Sequence, residues 1–343
     1  MNSGDDTNLQ PDVGAGTARS DMGAGMTSEI EPGNHALNRV LPFAVEDLDL
    51  RGKAVTLTTE FDAIVSRHNY PDEINRALGE AIALGALLGT TLKFDGKFIL
   101  QTQSDGVLDI MVVEFRTPSD VRAYARFDEE RLAAAIAANK AAPKDLLGEG
   151  ILVMTVDQGE HMQRYQGIVQ LDGVGLEEIA DRYFRQSEQI PTVVRLAVGQ
   201  LYAAEAQRPV WRAGGLMAQF LPESEDRMRL RDLHGGDGAP EDDGADEDDA
   251  WTEAVALVGT VEDDELLDPE ITSERLLVRL FNQYDTRVFE GLPIRDKCSC
   301  TRERLAQVID RMEPEEQREI AVDGKITAKC EFCAKAYDFE VAA

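Results

Sequence analysis

Cysteine is nearly absent. The 343-residue chain has four, none of them among its first 297 residues, so a disulfide framework is excluded for most of the sequence. Basic residues are scarce too: 35 Lys and Arg stand against 65 Asp and Glu, a formal net charge of -30. Such a surface repels phosphate backbones on average, and nucleic acid is not expected as a partner. No run of 18 or more apolar residues occurs, which argues against a membrane-spanning helix. The N-terminus, MNSGDDTNLQPDVGAGTARSDMG, lacks the basic and apolar regions of a secretory signal, so the expected location is cytoplasmic, with no membrane partner. There is no phosphate-binding G-x-x-x-x-G-K-S/T, since Gly324-Lys325 is followed by Ile326, and nucleotide use is not expected. Ser187 and Glu188 have no adjacent histidine base; no catalytic site is assigned, and the chain reads as a non-enzyme.

What is present begins with enough apolar residues, 43%, to bury a sizeable core. Residues 1–38, rich in Gly, Asp, Ser, Asn and Thr, are expected to form a disordered tail. From Leu41 the pattern changes. DLRGKAVTLTTEF alternates as a strand does, and Ile74, Leu78 and Ile82 recur at helical spacing behind Pro71. KFILQTQS, GVLDIMVVEF and DVRAYARF, separated by Asp95-Gly96, Asp105-Gly106 and Thr117-Pro118, predict an antiparallel meander. A helix around Glu129–Asn139, a strand pair GILVMTVD and RYQGIVQL, and a helix over about Leu176–Glu188 complete an α+β core over 39–222, an antiparallel sheet with packed helices.

A linker over 223–290 follows. Eight of the thirteen residues from Asp237 to Asp249 are acidic and predict a solvated loop. Trp251, Ala254, Val255, Val258 and Val261 then share one helical face, and Leu276, Leu277, Leu280 and Phe281 share another, on a helix opening near Thr272 or Ser273.

The four cysteines fall in the last segment, 291–343, as Cys298-x-Cys300 and Cys330-x-x-Cys333, with 29 residues between the pairs. Two short loops supplying two thiolates each suit a tetrahedral zinc site, and with none of His35, His68, His161 or His234 in the segment, the ligands are Cys298, Cys300, Cys330 and Cys333. In a module of some fifty residues the core rarely supplies more than about 3 to 5 kcal/mol, whereas zinc contributes about 10 to 16 kcal/mol to small zinc-binding peptides. The metal would hold the module folded, and its thiolates are the oxidisable form of cysteine. Two other readings compete. A thiol-disulfide oxidoreductase shares C-x-x-C, though Cys330-Glu331-Phe332-Cys333 lacks the βαβ context of that chemistry. A structural zinc-ribbon interaction module fits the spacing; as a nucleic-acid reader it is opposed by Glu303, Asp310, Glu313, Glu315 and Glu316 around Arg302, Arg304 and Arg311.

The segment CSCTRERL with CEFC resembles the redox-switch domain of the heat shock protein 33 family of bacterial chaperones. DRYFRQSEQIPT resembles the family's signature at Tyr183, Phe184, Ser187, Glu188, Gln189, Pro191 and Thr192; RYQGIVQLDG, AGGLMAQFLP and LLVRLFNQYDTRVFEGLPIRDKCSC resemble its second hairpin, its Gly-Gly segment and its approach to the zinc module. The likeness runs from about Val40 to the C-terminus. The tail and the acidic stretch look like additions, and Ala334 stands where the family usually has Gly, which would permit positive φ. The resemblance implies a redox-regulated, ATP-independent holdase, inactive while reduced and holding one Zn2+ per chain. Oxidation would release zinc, form Cys298-Cys300 and Cys330-Cys333 disulfides, free a metastable linker and expose apolar surface to unfolded client proteins. It also implies a homodimer when active and ATP-dependent foldases downstream.

Overall fold

A computed structural model describes residues 38–92, 95–158, 164–221 and 249–340. The expected tail (all but Asn38) and acidic loop (all but Asp249) lie outside the described residues. Two six-stranded sheets organise the rest. In the first, β1 (Arg39–Val45) and β2 (Leu50–Leu57) form a hairpin, and β8 (Thr192–Ala203) with β9 (Arg208–Phe220) forms a longer one that joins it antiparallel through β2 and β9. The second sheet holds the expected meander β3 (Lys97–Ser104), β4 (Leu108–Arg116) and β5 (Asp120–Phe127), extended by the expected pair β6 (Glu149–Asp157) and β7 (Tyr165–Asp172). The α+β class with antiparallel sheets is what the alternation predicted.

Helix α1 (Thr59–His68) was not expected, because the sequence reading ran the preceding strand into Phe61. Its first turn is capped from twenty residues away: Asn38 Oδ1 accepts from Thr58 N at 2.7 Å and Glu60 N at 3.2 Å. Helix α2 (Asp72–Gly89), apolar on all sides from Ala81 onward, lies between the sheets, with Leu78, Ile82, Leu84 and Leu87 fully buried. Gly79 lets it approach, since a Cβ there would sit 2.6 Å from Phe61 and 2.8 Å from Val198. Helices α3 (Glu129–Ala137), α4 (Pro143–Leu147) and α5 (Leu176–Tyr183) follow, and the last gives way to a π-helical turn, Phe184–Glu188, where one continuous helix was expected.

The far face of the first sheet is covered by α6 (Asp249–Gly259), α7 (Asp263–Leu267) and α8 (Ser273–Leu280). Period two along the strands sorts side chains between two cores: Val55, Leu57 and Met217 face α2, while Ala54, Leu216, Ala218 and Phe220 face the outer helices. Trp251, Ala254, Val258, Leu276, Leu277 and Phe281 fill that second core, as the helical spacing predicted; Val255, placed on the same face, stays partly exposed. Gly214 makes room for Leu266, whose carbonyl would lie 2.5 Å from an added Cβ. Among the described residues no helix is long and apolar enough to cross a membrane.

After α8 the chain straps both sheets. β10 (Thr286–Val288) and β11 (Leu292–Pro293) pair with β1, and β12 (Arg295–Asp296) runs parallel to β5. The last segment holds α9 (Arg302–Ile309), α10 (Pro314–Ile320) and the hairpin β13 (Lys325–Lys329) with β14 (Ala336–Glu340).

Candidate metal centre

Cys298 and Cys300 lie in the extended loop between β12 and α9, which starts where the Thr301 side chain accepts from Arg304 N. Cys330 and Cys333 lie in the turn of the β13–β14 hairpin, closed by Cys330 N donating to Lys335 O at 2.9 Å and Ala334 N donating to Cys330 O at 2.8 Å. The turn needs a left-handed residue, and Ala334 supplies it at φ +57°. So the conformation that Gly would ease is present here on alanine.

The four sulfurs converge from these two loops. All lie within 4.8 Å of one another, with Cys298 Sγ 3.8 Å from Cys330 Sγ and Cys300 Sγ 3.4 Å from Cys333 Sγ. A tetrahedron with zinc–sulfur bonds of about 2.3 Å has edges of about 3.8 Å, so the spacing suits a four-thiolate site. Among the described residues this is the one cluster of potential ligands of its kind, and it contains no carboxylate or imidazole. An all-sulfur donor set favours a soft or borderline cation. Burial pushes the Cys330 thiol up and the Cys333 thiol up to about 12. Burial acts the same way on Cys300, but hydrogen bonds from Tyr337 and the other cysteines outweigh it and bring that thiol down to about 7. A divalent cation would supply positive charge opposite the thiolates that bind it.

Around the sulfurs stands a second layer. Within the module, the Tyr337 hydroxyl lies 3.6 Å from Cys300 Sγ, Arg304 donates to Ser299 O at 2.8 Å, and Arg302 covers the Phe339 ring at 4.6 Å. From the core, Arg122 Nη1 approaches Cys298 Sγ at 3.7 Å, and Tyr124 meets the Phe332 ring edge-on at 4.9 Å. His68, which the sequence reading set aside as remote, has Nε2 3.1 Å from Phe332 O. His35, His161 and His234 lie outside the described residues. Sequence reasoning missed the core contributors. The alternation in DVRAYARF does place Arg122 and Tyr124 on one face, but nothing local says what that face meets.

The model of the Hsp33 protein family matches residues 38–340. The chain is 39% identical over 317 residues to the 33 kDa chaperonin of Caulobacter vibrioides strain NA1000, covering 91% of this chain and 98% of that one. It is 33% identical over 305 residues to the 33 kDa chaperonin of Ectopseudomonas mendocina, covering 88% and 91%. The crystal structure of the 33 kDa chaperonin of Thermotoga maritima superposes with a TM-score of 0.65 over 88% of this chain and 95% of that one, at 19% identity, which shows a shared fold.

Proposed function

The chain belongs to the Hsp33 family, and from that premise we propose that it is a redox-regulated, ATP-independent holdase whose switch is the four-cysteine centre. The observation that carries this reading is how little else holds the C-terminal module together. From Cys298 onward, the described buried apolar residues are Ile309, Ile326 and Cys330, far short of an independent core. Zinc bound by Cys298, Cys300, Cys330 and Cys333 would act as a structural crosslink in place of that core. Oxidation of the pairs Cys298-Cys300 and Cys330-Cys333 by two equivalents of a two-electron oxidant such as a peroxide, each accepting one pair's two electrons, would convert all four ligands to disulfide sulfurs, which bind the metal poorly.

We divide the chain accordingly into a core (39–222), a linker (223–290) and a redox switch (291–343). The linker helices place Trp251, Val258, Leu277 and Phe281 over Phe43, Leu216 and Phe220, so undocking uncovers two apolar faces at once. Those faces are where unfolded clients would bind once oxidative stress overtakes a normally reducing cytoplasm, as a dimer and ahead of ATP-dependent foldases. The test is light scattering from a thermally unfolding client without ATP, using reduced zinc-loaded protein and protein freed of excess oxidant. The oxidised form should suppress aggregation and the reduced form should not. Equal suppression by both would remove the gate, and suppression by neither would remove the holdase.

A further inference from the structure

We infer that Arg122 is the residue through which the core positions the four-cysteine centre, with Phe332 as its counterpart on the module, so that metal retention and module docking stabilise each other. The inference rests on the metal-centre reading above.

Arg122 faces Glu114 directly across the β4–β5 ladder and donates to its Oε2 at 2.7 Å, which fixes the guanidinium at the sheet surface. The same group reaches Cys298 Sγ at 3.7 Å and covers the Phe332 ring, 4.0 Å from its centroid. Phe332 lies between two proposed ligands, Cys330 and Cys333, yet its socket belongs to the core. Tyr124, two residues along the strand, closes one side. His68 holds the Phe332 carbonyl, its ring stacked at 4.7 Å on Tyr70, whose hydroxyl accepts from Ala125 N at 3.2 Å. Arginine suits this place and lysine does not, because one planar fork serves a carboxylate, a sulfur and an aromatic face together. A donor beside a ligand sulfur orients it, and such outer partners typically change metal affinity about 10- to 100-fold.

The coupling is reciprocal. A cysteine turn held closed by metal presents Phe332 to the socket; a filled socket holds Cys298 and the turn in the geometry that retains metal. Loosening β5 should therefore hasten metal loss.

The experiment measures zinc transfer from the full-length, zinc-loaded chain to a chromogenic chelator. Arg122→Ala and Phe332→Ala should each release zinc about tenfold faster or more. Arg122→Lys should fall between wild type and Arg122→Ala. The double variant should be little faster than the worse single, since the two act as one contact. Arg126→Ala, also on β5, which removes an exposed ion pair with Asp109 on β4, should match wild type. A readout independent of release is hydrogen exchange at 120–126 and 64–70, which should rise in wild type when zinc is stripped under reducing conditions. Folded Arg122→Ala and Phe332→Ala proteins with wild-type release rates would overturn the inference while leaving the metal reading intact; should either fail to fold, Tyr124→Leu and His68→Gln take its place under the same criterion. A wild type that takes up no zinc would overturn both.

Discussion

Ala334 shows how much one residue can be asked to carry. It holds φ +57° in the turn that places Cys330 and Cys333, where an L-residue costs roughly 1 to 2 kcal/mol and glycine does not. Replacing it with glycine should recover part of that cost. Ala334→Gly is expected to slow hydrogen exchange over 325–340 in the zinc-loaded protein; unchanged or faster exchange would mean that the turn is not strained. At this scale the cluster was legible because its four cysteines come as short-range pairs whose spacing is visible in the chain. Arg122 and His68 were not legible. They meet the module across more than 170 residues of sequence, and no local pattern encodes such a meeting.

Among the elements, the outer helices α6–α8 decide whether the second core stays covered. Their apolar spacing was readable, as was the start of α8 at Thr272, whose side chain accepts from Arg275 N. Helix α1 was not, because its cap is Asn38, and the turn at Phe184–Glu188 was not, because helical periodicity alone does not mark a π-turn. Phe281 is fully buried, its ring 5.8 Å from that of Phe43. Truncating a buried phenylalanine costs about 3 to 5 kcal/mol, so Phe281→Ala should undock the helices in part and give the reduced protein measurable suppression of client aggregation. Reduced Phe281→Ala as inactive as wild type would separate undocking from activity.

Stability should also depend on pH. Arg195 on β8 pairs with Glu177 on α5 at 3.7 Å and Asp263 on α7 at 3.2 Å, two carboxylates for one guanidinium. Glu80 on α2 adds a third, pushed up to about 8 by burial first and then by Glu177 and Asp263. The folded state therefore keeps a proton that the unfolded chain, with Glu80 near 4.5, gives up. Stability falls as pH rises between those values. A urea titration followed by the emission of Trp211 and Trp251 should show a midpoint that falls over this window in wild type and much less in Glu80→Gln; identical slopes would dismiss Glu80 as the source.

On the scale of the whole molecule, a buried helix between two sheets forms a core with abundant apolar packing. Three small helices roof one sheet, and a module with almost no core of its own is fastened to the other. Stability is thus distributed unevenly, and under the proposed switch the parts with the least burial are the ones oxidation would release. The strap 286–296 pairs with both sheets and lies between the module and the roof, which gives the two a physical route to communicate. The acid surplus belongs to this scale as well: a net charge of -30 would help keep a complex with a sticky client in solution.

The central claim is that the state of four sulfurs governs whether the roof stays on. Hydrogen exchange of the full chain, reduced and zinc-loaded against oxidised and zinc-free, tests it most directly. The account predicts faster exchange across 298–340 and across 249–281, with β3, β4 and β6 as protected as before; complete zinc release with unchanged exchange over 249–281 would contradict it.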